Sequence, residues 1–138
     1  MRYIGIDPST AMLNGLVMKH PNLAGVHPMT YAEAEQWRVL CGTRYDSVLA
    51  LGGSASYLAP GEIELLRSRA KRDVLLMHYG PEEVHTAPGL EPQQAEASLR
   101  AATTTATSHS RVGRCVASIL PGNRAGSTQT NGDRVALV

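Results

Sequence analysis

Short apolar runs alternate with amphipathic stretches along most of this chain. Arg2 to Ile6 is a brief apolar run stopped by Asp7-Pro8-Ser9. Runs of this kind mark strands buried on both faces of a helix-covered parallel sheet. Ser9 or Thr10 can cap a following helix, in which Met12, Leu13, Leu16 and Val17 recur at helical spacing. Gly15 weakens that helix, and Pro21 ends it. A second short strand is expected around Ala24 to His27. Thr30-Tyr31-Ala32-Glu33 then reads as a capping box opening a helix to about Leu40, with Tyr31, Ala34 and Trp37 on one face.

The clearest strand runs from Tyr45 to Leu51 and ends in Gly52-Gly53-Ser54-Ala55-Ser56. Pro60 suits the first turn of a helix carrying Ile63, Leu65, Leu66 and Ala70. Asp73 to Tyr79 reads as another buried strand, closed by Gly80-Pro81, and Glu91 to Ala102 as a helix with Ala95, Leu99 and Ala102 on one face. Thr103 to Ser110 is expected to be a loop and Val112 to Leu120 a late strand, antiparallel and near an edge. From Pro121 onward Gly, Ser, Thr, Asn and Gln dominate, so residues 121–138 read as a disordered tail until about Val135. Strands alternating with helices predict an α/β fold with a mostly parallel sheet over residues 1–120.

Composition narrows the classes. The chain has 138 residues, 43% apolar and 18% charged, enough for one domain with a single core. A formal charge of +1 offers no basic field for nucleic acid or an anionic membrane. The cluster Arg67, Arg69, Lys71, Arg72 sits at a predicted helix end, where cations complement the helix dipole. Cys41 and Cys115 make neither a Cys-x-x-Cys motif nor a disulfide framework. Arg2 to Ile6 is too short for a signal peptide, and no run is long enough to cross a bilayer. The expectation is a cytoplasmic protein.

Ligands of open α/β sheets sit beyond the carboxyl ends of the strands. Three predicted strand ends carry candidate chemistry. Asp7 follows the first strand, and a carboxylate there can accept two hydrogen bonds from a ribose diol. It can equally be a turn and helix-cap residue. Gly52-Gly53-Ser54-Ala55-Ser56-Tyr57 follows the middle strand; small residues let a ligand approach the backbone, though a tight turn needs them too. His78-Tyr79 ends the later strand, where His78 is either a core histidine or a base.

In this order, these segments resemble class I S-adenosylmethionine-dependent methyltransferases of the seven-stranded Rossmann-like type. Tyr3-Ile4-Gly5-Ile6-Asp7-Pro8-Ser9 with Met12-Leu13 is similar to the family's second strand. Tyr45 to Leu58 resembles its fourth strand and following loop, and Val74 to Tyr79 its fifth strand. The resemblance, over roughly Arg2 to Leu120, implies a three-layer Rossmann-like sandwich and S-adenosylmethionine as cofactor. It makes Asp7 the ribose ligand and puts Pro28 and Met29 near the adenine. Leu51, Gly52 and Gly53 would flank the methionine moiety, with Ser54 and Tyr57 near a small-molecule acceptor and His78 or Tyr79 as the base, if one is needed. No metal ligand is implied.

The family normally has a preceding strand that ends in a Gly-x-Gly-type loop. That strand lies between those matched here by Arg2–Ile6 and Val48–Leu51. Nothing before Met1 supplies it, so the sheet is expected to be incomplete at its N-terminus, with a gap at its centre. An N-terminally truncated enzyme that binds its cofactor poorly is the first expectation. A non-catalytic remnant, or a module completed by a partner chain, is the second. Ile4-Gly5-Ile6-Asp7-Pro8-Ser9-Thr10 also resembles the first strand of RNase H-like nucleases, where the aspartate would bind Mg²⁺. Asp46 and Asp73, however, open their strands and so fall on the opposite rim.

Overall fold

The computed structural model of the chain describes residues 2–22, 25–39, 44–123 and 134–138. In chain order the elements are β1 (Arg2–Ile6), α1 (Thr10–Lys19), β2 (Val26–His27), α2 (Tyr31–Gln36), β3 (Tyr45–Ala50), α3 (Pro60–Arg69), β4 (Ala70–Tyr79), α4 (Pro92–Thr105), β5 (Ser108–Val112), β6 (Cys115–Pro121) and β7 (Arg134–Leu137). The seven strands form one sheet in the order β2-β1-β7-β3-β4-β6-β5. The pairs β1–β2, β1–β7, β7–β3 and β3–β4 are parallel, while β4–β6 and β6–β5 are antiparallel. The fold is therefore α/β with a mixed, mostly parallel sheet.

The centre of this sheet overturns one expectation. No gap separates β1 from β3, because β7 lies between them and runs parallel to both. Ile4 and Val48 flank Ala136 in register, and Gly5 and Leu49 flank Leu137. Residues 124–133 of the segment read as a disordered tail lie outside the described residues, and its end, Arg134–Leu137, supplies the middle strand. Strand edges that face a gap hold unpaired N–H and C=O groups, and burying those without partners costs about 1–3 kcal/mol each. Pairing on both sides of β7 satisfies them.

Local sequence explains most element boundaries. Ser9 Oγ caps α1 by accepting from the Met12 N–H at 3.3 Å, and Lys19 sits in the last turn. The capping box of α2 forms as expected: Thr30 Oγ1 accepts from Glu33 N at 3.2 Å, and Glu33 Oε2 accepts from Thr30 N at 2.7 Å. Pro60 starts α3, where Glu62 accepts the Ala59 N–H at 2.9 Å. Arg69, at the end of α3, grips both Glu35 oxygens at 2.8 and 2.6 Å and so ties α3 to α2. Burial of Glu35 opposes its charge, but hydrogen bonds from Arg69 and Tyr31 outweigh that and hold its carboxyl below the usual range.

Several boundaries differ from the sequence reading, among them the start of β4, at Ala70 and not Asp73. The stretch expected as one strand, Val112 to Leu120, is the second half of a hairpin. Gly113, at φ 60°, turns β5 into β6 with Arg114 as the other loop residue, as a glycine-first two-residue hairpin requires. Most of the expected Thr103–Ser110 loop is structured, because α4 runs to Thr105 and β5 begins at Ser108. Ala24, Leu40 and Cys41 lie outside the described residues, and Cys115 is a half-buried free thiol.

The two faces of the sheet are unequal. Val48, Ala50, Val74, Leu76, Leu120 and Ala136 are almost wholly buried, and with Tyr31, Ala34, Ile63, Leu66 and Ala102 of α2, α3 and α4 they form the core. Alternation places Leu49, Leu75 and Met77 on the opposite face, where each is only half-buried. There α1 covers the β1 end through Leu13 and Leu16. Trp37, expected on the buried face of α2, is 71% exposed instead, since the helix ends at Gln36. No described helix is long and apolar enough to cross a membrane.

If β7 is the central strand, Ala136→Asp places an unpaired carboxylate between Ile4 and Val48 in the core. The expected loss is about 3 kcal/mol or more of unfolding free energy in urea titrations. An unchanged midpoint contradicts the central placement.

Candidate functional site

The chain order reverses where β7 sits. From the centre, β1 steps outward to β2, whereas β3 steps the other way to β4. At such a reversal the loops beyond the strand ends splay apart and leave a crevice. A cavity of about 320 Å³ is found there, lined among others by Asp7, Leu13, Leu16, Leu51, Gly52, Ser54 and Val138. That volume lies at the small end of ligand pockets, about 300–1,000 Å³.

Each wall follows from local structure. Asp7 leaves β1 with its N–H bonded to His27 O at 3.2 Å, and its Oδ1 accepts the Ser9 N–H at 2.7 Å. Both sequence roles, helix-entry turn and crevice carboxylate, therefore coexist in one residue. A carboxylate offers about four lone-pair sites, so one backbone donor leaves capacity for a ligand. Gly52 and Gly53 bring the chain out of β3 at φ 63° and 89°, a region that disfavours other residues. Leu51 is exposed on the rim. Ser54 Oγ donates to Val138 O at 3.0 Å, and Val138 N–H donates to Leu49 O at 2.8 Å. The end of β7 is thereby bound into the crevice wall.

A second polar group lies beneath the loop, inside the core. Ser98 of α4 donates its one proton to Ala55 O at 2.8 Å. It must therefore accept from His78 Nε2, 2.9 Å away. This assigns the proton to Nε2 and leaves Nδ1 a bare acceptor, buried and without a partner. His78 is wholly buried, and burial pushes its pKa down to about 4. Alongside, Ser56 Oγ accepts the Tyr79 N–H at 2.8 Å. His78, Ser98 and Ser56 fasten the 51–58 loop to β4 and α4.

The candidate residues thus separate into groups. Asp7, Leu51, Gly52 and Ser54 meet at the crevice. Gly53 does not line it but packs on the Tyr79 ring so closely that an added Cβ would lie 2.5 Å from ring carbons. Tyr57 stands on the outer rim, where its hydroxyl donates to Pro88 O at 2.7 Å. Burial and the neighbouring Tyr79 raise its pKa, keeping the phenol protonated. Pro28 is exposed beyond β2, and Met29 packs half-buried against the core; neither lines the crevice. His78 points into the core, where Ser98 pairs its Nε2 while Nδ1 stays unpaired.

Sequence reasoning missed Leu137 and Val138, because a four-residue strand in a polar segment has no readable period. It also missed Ser98, whose place on the buried face of α4 follows the spacing of Ala95 and Ala102. Among the described residues, no three His, Cys, Asp or Glu side chains stand close enough together to hold a metal ion. Comparisons with protein families, curated proteins and solved structures return no match.

Two substitutions probe this geometry. Gly53→Ala forces a disfavoured φ and a clash with Tyr79, for an expected loss of about 1–3 kcal/mol in chemical denaturation. His78 takes up its proton near pH 6.5 when unfolded but only near pH 4 when folded. Stability should therefore fall by about 3 kcal/mol as the pH drops from 6.5 to 4, and then level off. His78→Gln should remove that part of the slope; an identical slope in the variant argues against a buried neutral histidine.

Proposed function

We propose that the crevice is the adenosyl site of a Rossmann-like, S-adenosylmethionine-dependent methyltransferase domain. The observation that carries this reading is Asp7, placed at the carboxyl end of β1 beside the reversal in strand order. A carboxylate at that point is suited to accept both hydroxyls of a ribose. The apolar walls from Leu13, Leu16 and Leu137 suit a flat base. The arrangement of strands also agrees. The segments likened to the family's second, fourth and fifth strands are β1, β3 and β4, and β7 lies between β1 and β3, where the resemblance puts the family's first strand.

When bound, S-adenosylmethionine supplies an activated methyl group. The residues here would bind and orient. Asp7 holds the ribose, the Gly52 backbone lets the ligand lie close to the 51–54 turn, and Ser54 and Tyr57 border the side where a small acceptor would enter. Because His78 lies in the core and not at the crevice, the described residues there would act by positioning. An acceptor that reacts without losing a proton in the rate-setting step suits this arrangement.

A second reading is a module that holds the nucleoside but does not catalyse alone, either a remnant or one completed by a partner chain. No observation favours the metal-dependent nuclease reading.

Calorimetric titration separates these readings. S-adenosylhomocysteine should bind, and Asp7→Asn should weaken it at least about tenfold, the equivalent of roughly 1.4 kcal/mol for lost charge-assisted hydrogen bonds. Adenosine binding as tightly as S-adenosylhomocysteine would favour the non-catalytic module. No binding of either by the folded chain, or equal binding by Asp7→Asn, contradicts the proposed site.

A further inference from the structure

The two margins of the sheet are built differently. At one, β2 is only two residues long. At the other, β5 runs five residues in unbroken register with β6, from Ser108↔Ile119 to Val112↔Cys115, and all five are exposed. Among the described residues its outer side has no strand neighbour. An edge strand presents a row of unpaired N–H and C=O groups, and proteins usually blunt it with proline, a bulge, inward charge or a covering element. β5 contains no proline and no bulge. Its one cation of fixed charge, Arg111, is drawn back to Glu82 and to Gly113 O.

We propose that β5 is a pairing edge, and that its partner is β5 of a second copy of this chain, antiparallel about a twofold axis through Ser110. The strand suits itself. Pairing about Ser110 sets Ser108 opposite Val112 and His109 opposite Arg111, so no two residues of fixed like charge face each other. The registers with β6 put Ser108, Ser110 and Val112 on the same face as Ile119. Val112 and Ile119 are two large apolar side chains left open at this margin, 50% and 41% exposed. In the pair, Val112 of one copy lies across from Ser108 of the other, one strand away from Ile119. The small serine between them leaves room for the two apolar side chains to approach, twice over by symmetry. That gain distinguishes a second copy from an arbitrary extended peptide, which need not bring an apolar residue to that point. A five-residue edge buries far less than the roughly 800 Å² per side of a stable interface, so the dimer is weak and reversible.

Sedimentation equilibrium combined with amide hydrogen exchange tests this without reference to any ligand. The mass is expected to rise with concentration from 14.8 kDa towards twice that value, with exchange across residues 108–112 slowing in parallel. Ser110→Lys, which sets two ammonium groups against each other at the axis, should weaken the dimer at least tenfold, and Ser110→Thr should preserve it. The exchange readout on the native chain keeps the test decisive even if a variant misfolds. A chain that stays monomeric at high concentration overturns the proposal. So does a dimer that leaves exchange in β5 unchanged, or one that a folded Ser110→Lys chain forms equally well.

Discussion

Everything in this fold depends on pairing the inner edges of β1 and β3. Neither strand bonds to the other, and each turns a row of backbone donors and acceptors towards the same narrow space. Those groups need a partner inside the sheet, because buried peptide groups left unpaired cost more than most single side-chain contacts return. β7 meets that need from both sides at once. Ala136 is the small residue that lets this central strand pass beneath the helices between Ile4 and Val48.

The crevice is a consequence of the same placement. Inserting β7 between strands whose connections lead in opposite directions creates the opening beyond their carboxyl ends. It also brings Val138 to Leu49 and Ser54, so the wall of the candidate site is made of chain segments far apart in sequence. On the other side, His78 and Ser98 hold the 51–58 loop from within the core. The glycine pair is needed to turn the chain over that support, with Gly53 flat against Tyr79. His78 lies buried in the core, and Asp7 lines the crevice at the carboxyl end of β1.

How far the sequence was readable depends on the range of the interactions. The Thr30–Glu33 capping box and the Pro60 helix start are settled within four residues, and both stand where the pattern puts them. The β1, β3 and β4 runs are legible because one face of β3 and β4 is buried and the other half-covered, which keeps long stretches of them apolar. β5 was not legible: Ser-His-Ser-Arg-Val lies exposed at an edge, so no face had to be apolar. β7 was hidden for a different reason. Four residues give no period, and their partners lie some ninety or more residues away, so only the pairing demand of β1 and β3 identifies their place. Within the site, Asp7, Gly52 and Ser54 could be read from strand ends alone. The orientation of His78 could not, because a one-residue step along a strand decides whether a side chain faces core or crevice neighbours.

The most direct test of the central role of β7 is native-state hydrogen exchange resolved to its amides. If β7 completes the sheet, Val135 to Leu137 should exchange only through global unfolding, at rates matching the core amides of β1 and β3. Fast exchange in β7 while β3 stays protected would contradict the account, because it would mean that the centre of the sheet is held together without it.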